Sequence, residues 1–182
     1  MRVITGSAKG KKLNTLEGQD VRPTTDRVKE SIFSMIQFEL QNKVFLDLFA
    51  GSGQMGIEAL SRGAKSAYFV DESKKSIDVI TANLKLTGFE KLAKVYCTKA
   101  QNFLKNGADN IDIVFLDPPY KKGILQEVLP LIAGKMKDGG VIICENPVDE
   151  ELEEIIENFK LAKKSKYGKI KISVYRHINE DD

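Results

Sequence analysis

With 182 residues, 42% of them hydrophobic and 30% charged, the chain has an ordinary soluble composition and room for one domain with a substantial core. Its apolar runs fall short of the roughly 20 residues that span a bilayer, and the opening MRVITGSAKGKKL lacks a signal-peptide core, which argues against membrane or secreted classes. The net charge of +2 conceals basic ends: residues 1–12 hold Arg2, Lys9, Lys11 and Lys12 without an acid, and Lys160 to Arg176 hold six lysines and one arginine without one.

From the N-terminus, VITGSAKGKKLNT has the glycines and short alternation of a small hairpin, an appendage over residues 1–20. TTDRVKESIFSMIQFEL follows, with Val28, Ile32, Met35, Ile36 and Leu40 on one helical stripe and Thr24 or Thr25 placed to cap it. VFLDLF, SAYFVD, KVYC, DIVFL and GVIICE read as short strands, separated by helical segments near 54–62, 74–87, 100–105 and 123–136. Pro130 is expected to kink or shorten the last of these. VDEELEEIIENF then packs six acids between Asp149 and Glu157. FKLAKKSKYGKIKISVYR closes the chain as two strands about a turn at Tyr167-Gly168, and its lysines read better as solvated edge charges than as polyanion contacts. Strands apolar on both faces and joined by helices predict a parallel sheet covered on both sides, whereas KIKISVYR alternates as a strand with one wet face. The expected fold is α/β: a single doubly wound, Rossmann-like domain over 1–182, its core at 21–176. The sheet should be mostly parallel, with an antiparallel C-terminal strand and the N-terminal β-hairpin beside it.

DLFAGSGQMG contains G-x-G-x-x-G between a strand and a helix, and Asp71 follows Gly51 by about twenty residues, as in a dinucleotide site. Gly51 and Gly53 let the backbone approach a ligand, and the helix start at Gln54 favours a pyrophosphate or an amino-acid carboxylate alike. Asp47 separates the two. A carboxylate just ahead of the glycines opposes a pyrophosphate but suits a cation such as the α-ammonium of a methionine moiety. Asp71, at the end of YFVD, can accept both ribose hydroxyls of an adenosine. Together these acids describe S-adenosylmethionine better than NAD; the structural alternative for Asp47 is a helix-capping acid.

FLDPPYKK ends the fourth core strand with an acid, two prolines and an aromatic. Prolines stop the ladder and stiffen the backbone beyond it. An exocyclic base amine needs two acceptors, and the Asp117 carboxylate and Pro118 carbonyl supply them, held by Pro118-Pro119. Binding both N–H groups turns the nitrogen lone pair toward a methyl donor, and Tyr120 offers a face for an unstacked base. Such catalysis is positioning and electrostatics, with the proton lost after attack.

On these motifs the chain resembles the bacterial small-subunit (16S) ribosomal RNA guanine-N2 methyltransferases, the RsmD family of class I S-adenosylmethionine-dependent enzymes. The resemblance runs through VITGSAKGKKL, RPTTDRVKESIF, LDLFAGSGQMGIEALSRGA, FVD and FLDPPY. It implies methyl transfer to the exocyclic N2 of a guanine in ribosomal RNA or a small-subunit assembly particle. It implies Asp47, Gly51, Gly53, Asp71, the Ala100 backbone and Thr24 on the cofactor side, and Asp117, Pro118, Pro119 and Tyr120 at the target base. Arg22 to Arg27 forms the helix entrance over both, and Lys9, Lys11, Lys12 and Arg22 become candidate RNA contacts. Lys99 departs from the pattern, because a lysine cannot accept from the adenine amine where many relatives carry an acid or an amide.

Cys97 and Cys144 read as core strand residues that form neither a metal pattern nor a disulfide framework, and His177 is the lone histidine. No metal is expected, and reduced thiols suggest a cytoplasmic protein. Cysteine-based carbon-5 pyrimidine chemistry is also disfavoured. The small size favours a monomer. Two alternatives stay open: transfer to another amine (adenine N6 in nucleic acid or a protein amide), and an RNA-binding module of the same fold without catalysis.

Overall fold

The computed structural model describes residues 1–16, 25–119 and 123–178. Its strands are β1 (Val44–Leu48), β2 (Ser66–Asp71), β3 (Ala93–Cys97), β4 (Ile111–Leu116), β5 (Met136–Pro147), β6 (Ile155–Ile156), β7 (Phe159–Tyr167) and β8 (Ile170–His177). They form one sheet in the order β3-β2-β1-β4-β5-β8-β7-β6. The first five strands are parallel, as their apolar runs predicted; β4 is buried at every position. β8 inserts antiparallel between β5 and β7, so the mostly parallel α/β sheet ends in antiparallel C-terminal strands.

Helices α1 (Asp26–Met35), α2 (Gln54–Ser61) and α3 (Lys74–Thr87) share a core with one sheet face, through Phe33, Phe45, Phe69, Ile80, Phe115 and Ile143. Helices α4 (Ala100–Asn106) and α5 (Ile124–Ala133) cover the other through Phe103, Val128, Val114 and Ile142. Thr25 caps α1 by accepting from the Val28 N–H at 3.3 Å. The helix stops at Met35, although Ile36 and Leu40 remain buried in the turns that follow. α5 contains Pro130 and ends at Ala133, short of the expected 136, because Met136 already starts β5. Cys97 corrects its core assignment: β3 is the sheet's edge strand and leaves it exposed, whereas Cys144 is buried. In the basic C-terminal run, Lys164 and Lys171 both pair with Glu151 of the acidic stretch.

The N-terminal segment closes with an antiparallel bridge between Arg2 and Lys12 and docks on α2 through buried polar groups. Glu58 accepts from the Ile4 and Thr5 N–H groups at 2.8 and 3.0 Å and from Arg62 Nε at 2.8 Å. Fully buried Lys29 lies 3.5 Å from Glu58 and donates to the Arg2 carbonyl at 2.6 Å. Burial lowers the Lys29 pKa, and Glu58 works against that shift. Gly6 sits at φ +89, where an added Cβ would lie 1.8 Å from the Ser61 carbonyl oxygen. Ser7 donates to that same oxygen at 2.8 Å. Gly6→Ala is therefore expected to push the hairpin off α2 and destabilise the protein by more than ~2 kcal/mol, read as a lower denaturation midpoint.

Candidate functional site

β1 lies between β2 and β4, so the chain reverses its direction of travel across the sheet between β1 and β4. A crevice for ligands opens beyond the carboxyl ends of strands at such a point. Register decides which side chains face it. Asp47 aligns with Phe69 and with Phe115, and Phe115 aligns with Ile143. Those three residues belong to the core under α1, α2 and α3. Asp71, Asp117 and Glu145 each lie two residues further along their strands, and a two-residue step returns to the same face. Four acids therefore extend one face of the sheet past its carboxyl edge.

Asp47 is only 2% exposed, and its Oδ2 accepts from the Gly56 N–H at 2.9 Å. The capping alternative is thus realised by one oxygen. Among the described residues the other oxygen has no hydrogen-bond partner. Burial raises the Asp47 pKa, the Gly56 N–H opposes that rise, and nearby Asp71 adds to it; the result is about 7. Asp71 is half-buried and accepts from the Gly51 N–H at 2.9 Å and the Ser73 N–H at 2.8 Å. Each of its oxygens keeps a lone pair for a hydroxyl donor.

Between these acids the chain turns tightly. Phe49 has φ +68, uncommon for a residue with a side chain, and Gly51 has φ +56 with open space where a Cβ would stand. Gly56 has a different task, since a Cβ there would lie 2.3 Å from the Phe69 ring and hold α2 off the sheet. α2 begins at the turn with its first N–H groups free of intrahelical partners. Further along the edge, Ala100 opens α4 and is buried, beside exposed Lys99.

Asp117 stands half-buried at the end of β4, followed by buried Pro118 and exposed Pro119. Burial pushes its pKa well above the ordinary carboxylate value, and Glu145 and then Asp47 push in the same direction. Glu145 is the residue that the sequence reading passed over. Its signal was the acid closing GVIICE, two positions beyond a core-facing isoleucine. Among the described residues Asp47, Asp71 and Asp117 have no ion-pair partner, so this edge gathers carboxyl groups without a cation and suits a ligand that brings one.

Thr24, Arg22 and Tyr120 lie outside the described residues. Lys9 and Lys12 are exposed, and Lys11, also exposed, donates to the Leu86 carbonyl at 3.0 Å. Asn83 ties this basic segment to the glycine turn. It accepts from the Asn14 N–H at 2.8 Å and donates to the carbonyls of Asn14 and Ser52 at 3.1 and 2.9 Å.

The family described as conserved hypothetical protein 95 matches residues 1–176. Ribosomal RNA small subunit methyltransferase D of Escherichia coli K12 is 33% identical over 178 residues, 97% of this chain and 89% of that one. The chain belongs to the RsmD family. YlbH of Bacillus subtilis, named as a candidate rRNA methyltransferase, is 41% identical over 97% of this chain and 98% of its own. Among solved structures, the Escherichia coli protein yhhF, described as a candidate methyltransferase, superposes with a TM-score of 0.88 at 32% identity, covering 98% of both chains. The RsmD-family fold is thus that of class I methyltransferases.

Proposed function

We propose that this protein uses S-adenosylmethionine to methylate the exocyclic N2 of a guanine in small-subunit ribosomal RNA. The observation that carries the reading is the end of β4, where Asp117 shares a sheet face with Asp47 of the neighbouring strand and is followed by the rigid Pro118-Pro119. Asp47, Asp71 and Asp117, without ion pairs among the described residues, and the open glycine turn fit a methyl donor with an ammonium, a ribose and a sulfonium. When bound, that donor presents a sulfonium methyl group to an attacking lone pair. Asp47 holds the ammonium, Asp71 the ribose hydroxyls, and the Gly51–Gly53 turn lets the backbone lie against the amino-acid end. Ala100 adds its backbone at the adenine.

Asp117 and the Pro118 carbonyl accept the two N–H groups of the target amine, which fixes its lone pair along the line of attack. Tyr120 stacks on the base. As nitrogen gains the methyl group it must give up a proton, and the Asp117 carboxylate that holds the amine accepts it. Its raised proton affinity, from burial and Glu145, suits it to that task. Guanine presents N1–H beside N2–H₂, a two-donor edge that a carboxylate matches. Lys9 and Lys12, with Arg22, supply the contacts to the RNA backbone. Relatives named as small-subunit rRNA methyltransferases support the choice of RNA.

The deciding experiment incubates the protein and radiolabelled S-adenosylmethionine with undermethylated small subunits, naked rRNA and DNA, followed by nucleoside analysis. Label in N2-methylguanosine from the ribosomal substrates is the expected result. Label in N6-methyladenosine, or in protein, moves the reaction to another amine, and no label on any substrate leaves a binding module.

A further inference from the structure

Gln54 is the first residue of α2 and is 8% exposed, yet its Oε1 is fully buried without a hydrogen-bond partner. A buried carbonyl oxygen left unpaired is costly, and the great majority in native proteins have partners. Its setting indicates where the partner comes from. Gly53 and Gly56 turn toward the sheet, against Ile80 and Phe69. Gln54 shares a different side of the helix with Glu58, four residues on, which meets the hairpin and Lys29 of α1. Helical side chains lean toward the N-terminus. From the first residue of α2 that lean directs the carboxamide toward the helix end and the glycine turn that precedes it.

Neither cation on that side bonds to Oε1; Arg62 Nη2 is itself buried without a partner, at the opposite end of α2 from Gln54. Lys29 Nζ donates to the Arg2 carbonyl and pairs with Glu58. Arg62 Nε pairs with Glu58, and the guanidinium carbon stands 4.8 Å over the Phe33 ring. Among the described residues no donor bonds to Oε1. The methyl donor does: an α-ammonium has three N–H groups, and Asp47 can take one with its free oxygen. The Gln54 carbonyl is a suitable second acceptor for that group.

We infer that the Gln54 carboxamide belongs to the methyl-donor site, where Oε1 accepts a hydrogen bond from the α-ammonium group. The inference rests on the S-adenosylmethionine reading above and adds a residue to it. Calorimetry can test it with two ligands that share a nucleoside: S-adenosylhomocysteine, which has the amino-acid end, and 5′-methylthioadenosine, which lacks it. Gln54→Met is expected to weaken S-adenosylhomocysteine about tenfold while changing 5′-methylthioadenosine by less than about twofold. Gln54→Glu keeps an acceptor and should bind S-adenosylhomocysteine more tightly than the Met variant. Without ligand, Gln54→Met should be at least as stable as wild type in denaturant, since it removes an unsatisfied polar atom.

Unchanged S-adenosylhomocysteine affinity in Gln54→Met would overturn the inference alone and make a buried water the partner. Equal losses for both ligands would overturn it in favour of a packing role. A Glu variant weaker than the Met variant would also overturn it, because the amide would then be donating to the ligand's carboxylate. Wild-type protein that binds neither ligand would remove the methyl-donor reading itself, a distinct failure.

Discussion

Replacing Asp117 by alanine is expected to slow methyl transfer about 10²- to 10³-fold while S-adenosylhomocysteine affinity stays within a few-fold of wild type. The separation follows from placement. Asp117 leaves β4 two residues beyond the position aligned with Asp47, on the target side of the crevice, whereas the glycine turn and Asp71 lie across β1 on the other. Alanine removes both the acceptor that orients the amine and the group that takes its proton. Asparagine keeps one acceptor, so Asp117→Asn should fall between alanine and wild type in single-turnover rate. Stability should move the other way. The folded chain holds Asp117's proton far above the pH at which the unfolded chain releases it, so ionised Asp117 opposes folding. Asp117→Asn removes that opposition and should raise the denaturation midpoint at pH 8, with less difference at pH 4. A slower enzyme that is more stable marks a site built for function at the expense of the fold. Unchanged turnover would contradict the proposed role.

The same physics explains what the sequence made legible. Runs such as DIVFL and GVIICE read as buried strands, and the glycines after LDLF as a turn into a helix; β5 proves parallel to β4 on one side and antiparallel to β8 on the other. The crevice followed once β1 and β4 were neighbours. Asp71 and Asp117 could be read because each ends an apolar run, and Asp47 because it interrupts one just ahead of the glycines, places where an acid has no packing role. Glu145 ends one too, but nothing local to GVIICE marks its acid as facing a ligand. Only the register with β4 brings it beside Asp117. Lys29 was harder still. A lysine on a predicted helix reads as solvated, and its burial depends on a carboxylate 29 residues away in sequence and on the Arg2 carbonyl. Cys97 was misread for a related reason: KVYC is apolar enough for a central strand, but β3 is the last strand on its side. Local pattern reports that a residue can be buried; pairing order decides whether anything is there to bury it.

Asp47→Asn should weaken S-adenosylhomocysteine about 10- to 100-fold at pH 8, the loss expected when a buried acceptor to a cationic donor gives up its charge. The variant should also change how binding depends on pH. In the unliganded protein Asp47 titrates near 7, so below that pH most of the carboxyl is neutral and cannot pair with an ammonium. Wild-type affinity is expected to rise from pH 6 to 8. Near pH 6.5, binding should release a proton, seen as a calorimetric enthalpy that varies with the buffer's ionisation heat. Asp47→Asn should show neither effect. Stability in the absence of ligand supplies an independent check with a fixed sign. The folded state keeps the Asp47 proton up to about pH 7, and the unfolded chain loses it near 3.8. Across that interval the folded chain binds more protons, so raising the pH lowers stability, by about 4 kcal/mol once Asp47 is ionised. Asparagine escapes this loss. Unliganded Asp47→Asn should therefore be the more stable protein at pH 8, with the gap closing toward pH 4. Saturating ligand should stabilise wild type more, because only there does a cation neutralise the buried charge. A variant less stable than wild type at pH 8 without ligand would mean that the bond from Gly56 to Asp47 outweighs the cost of ionisation, and that Asp47 is first a helix cap.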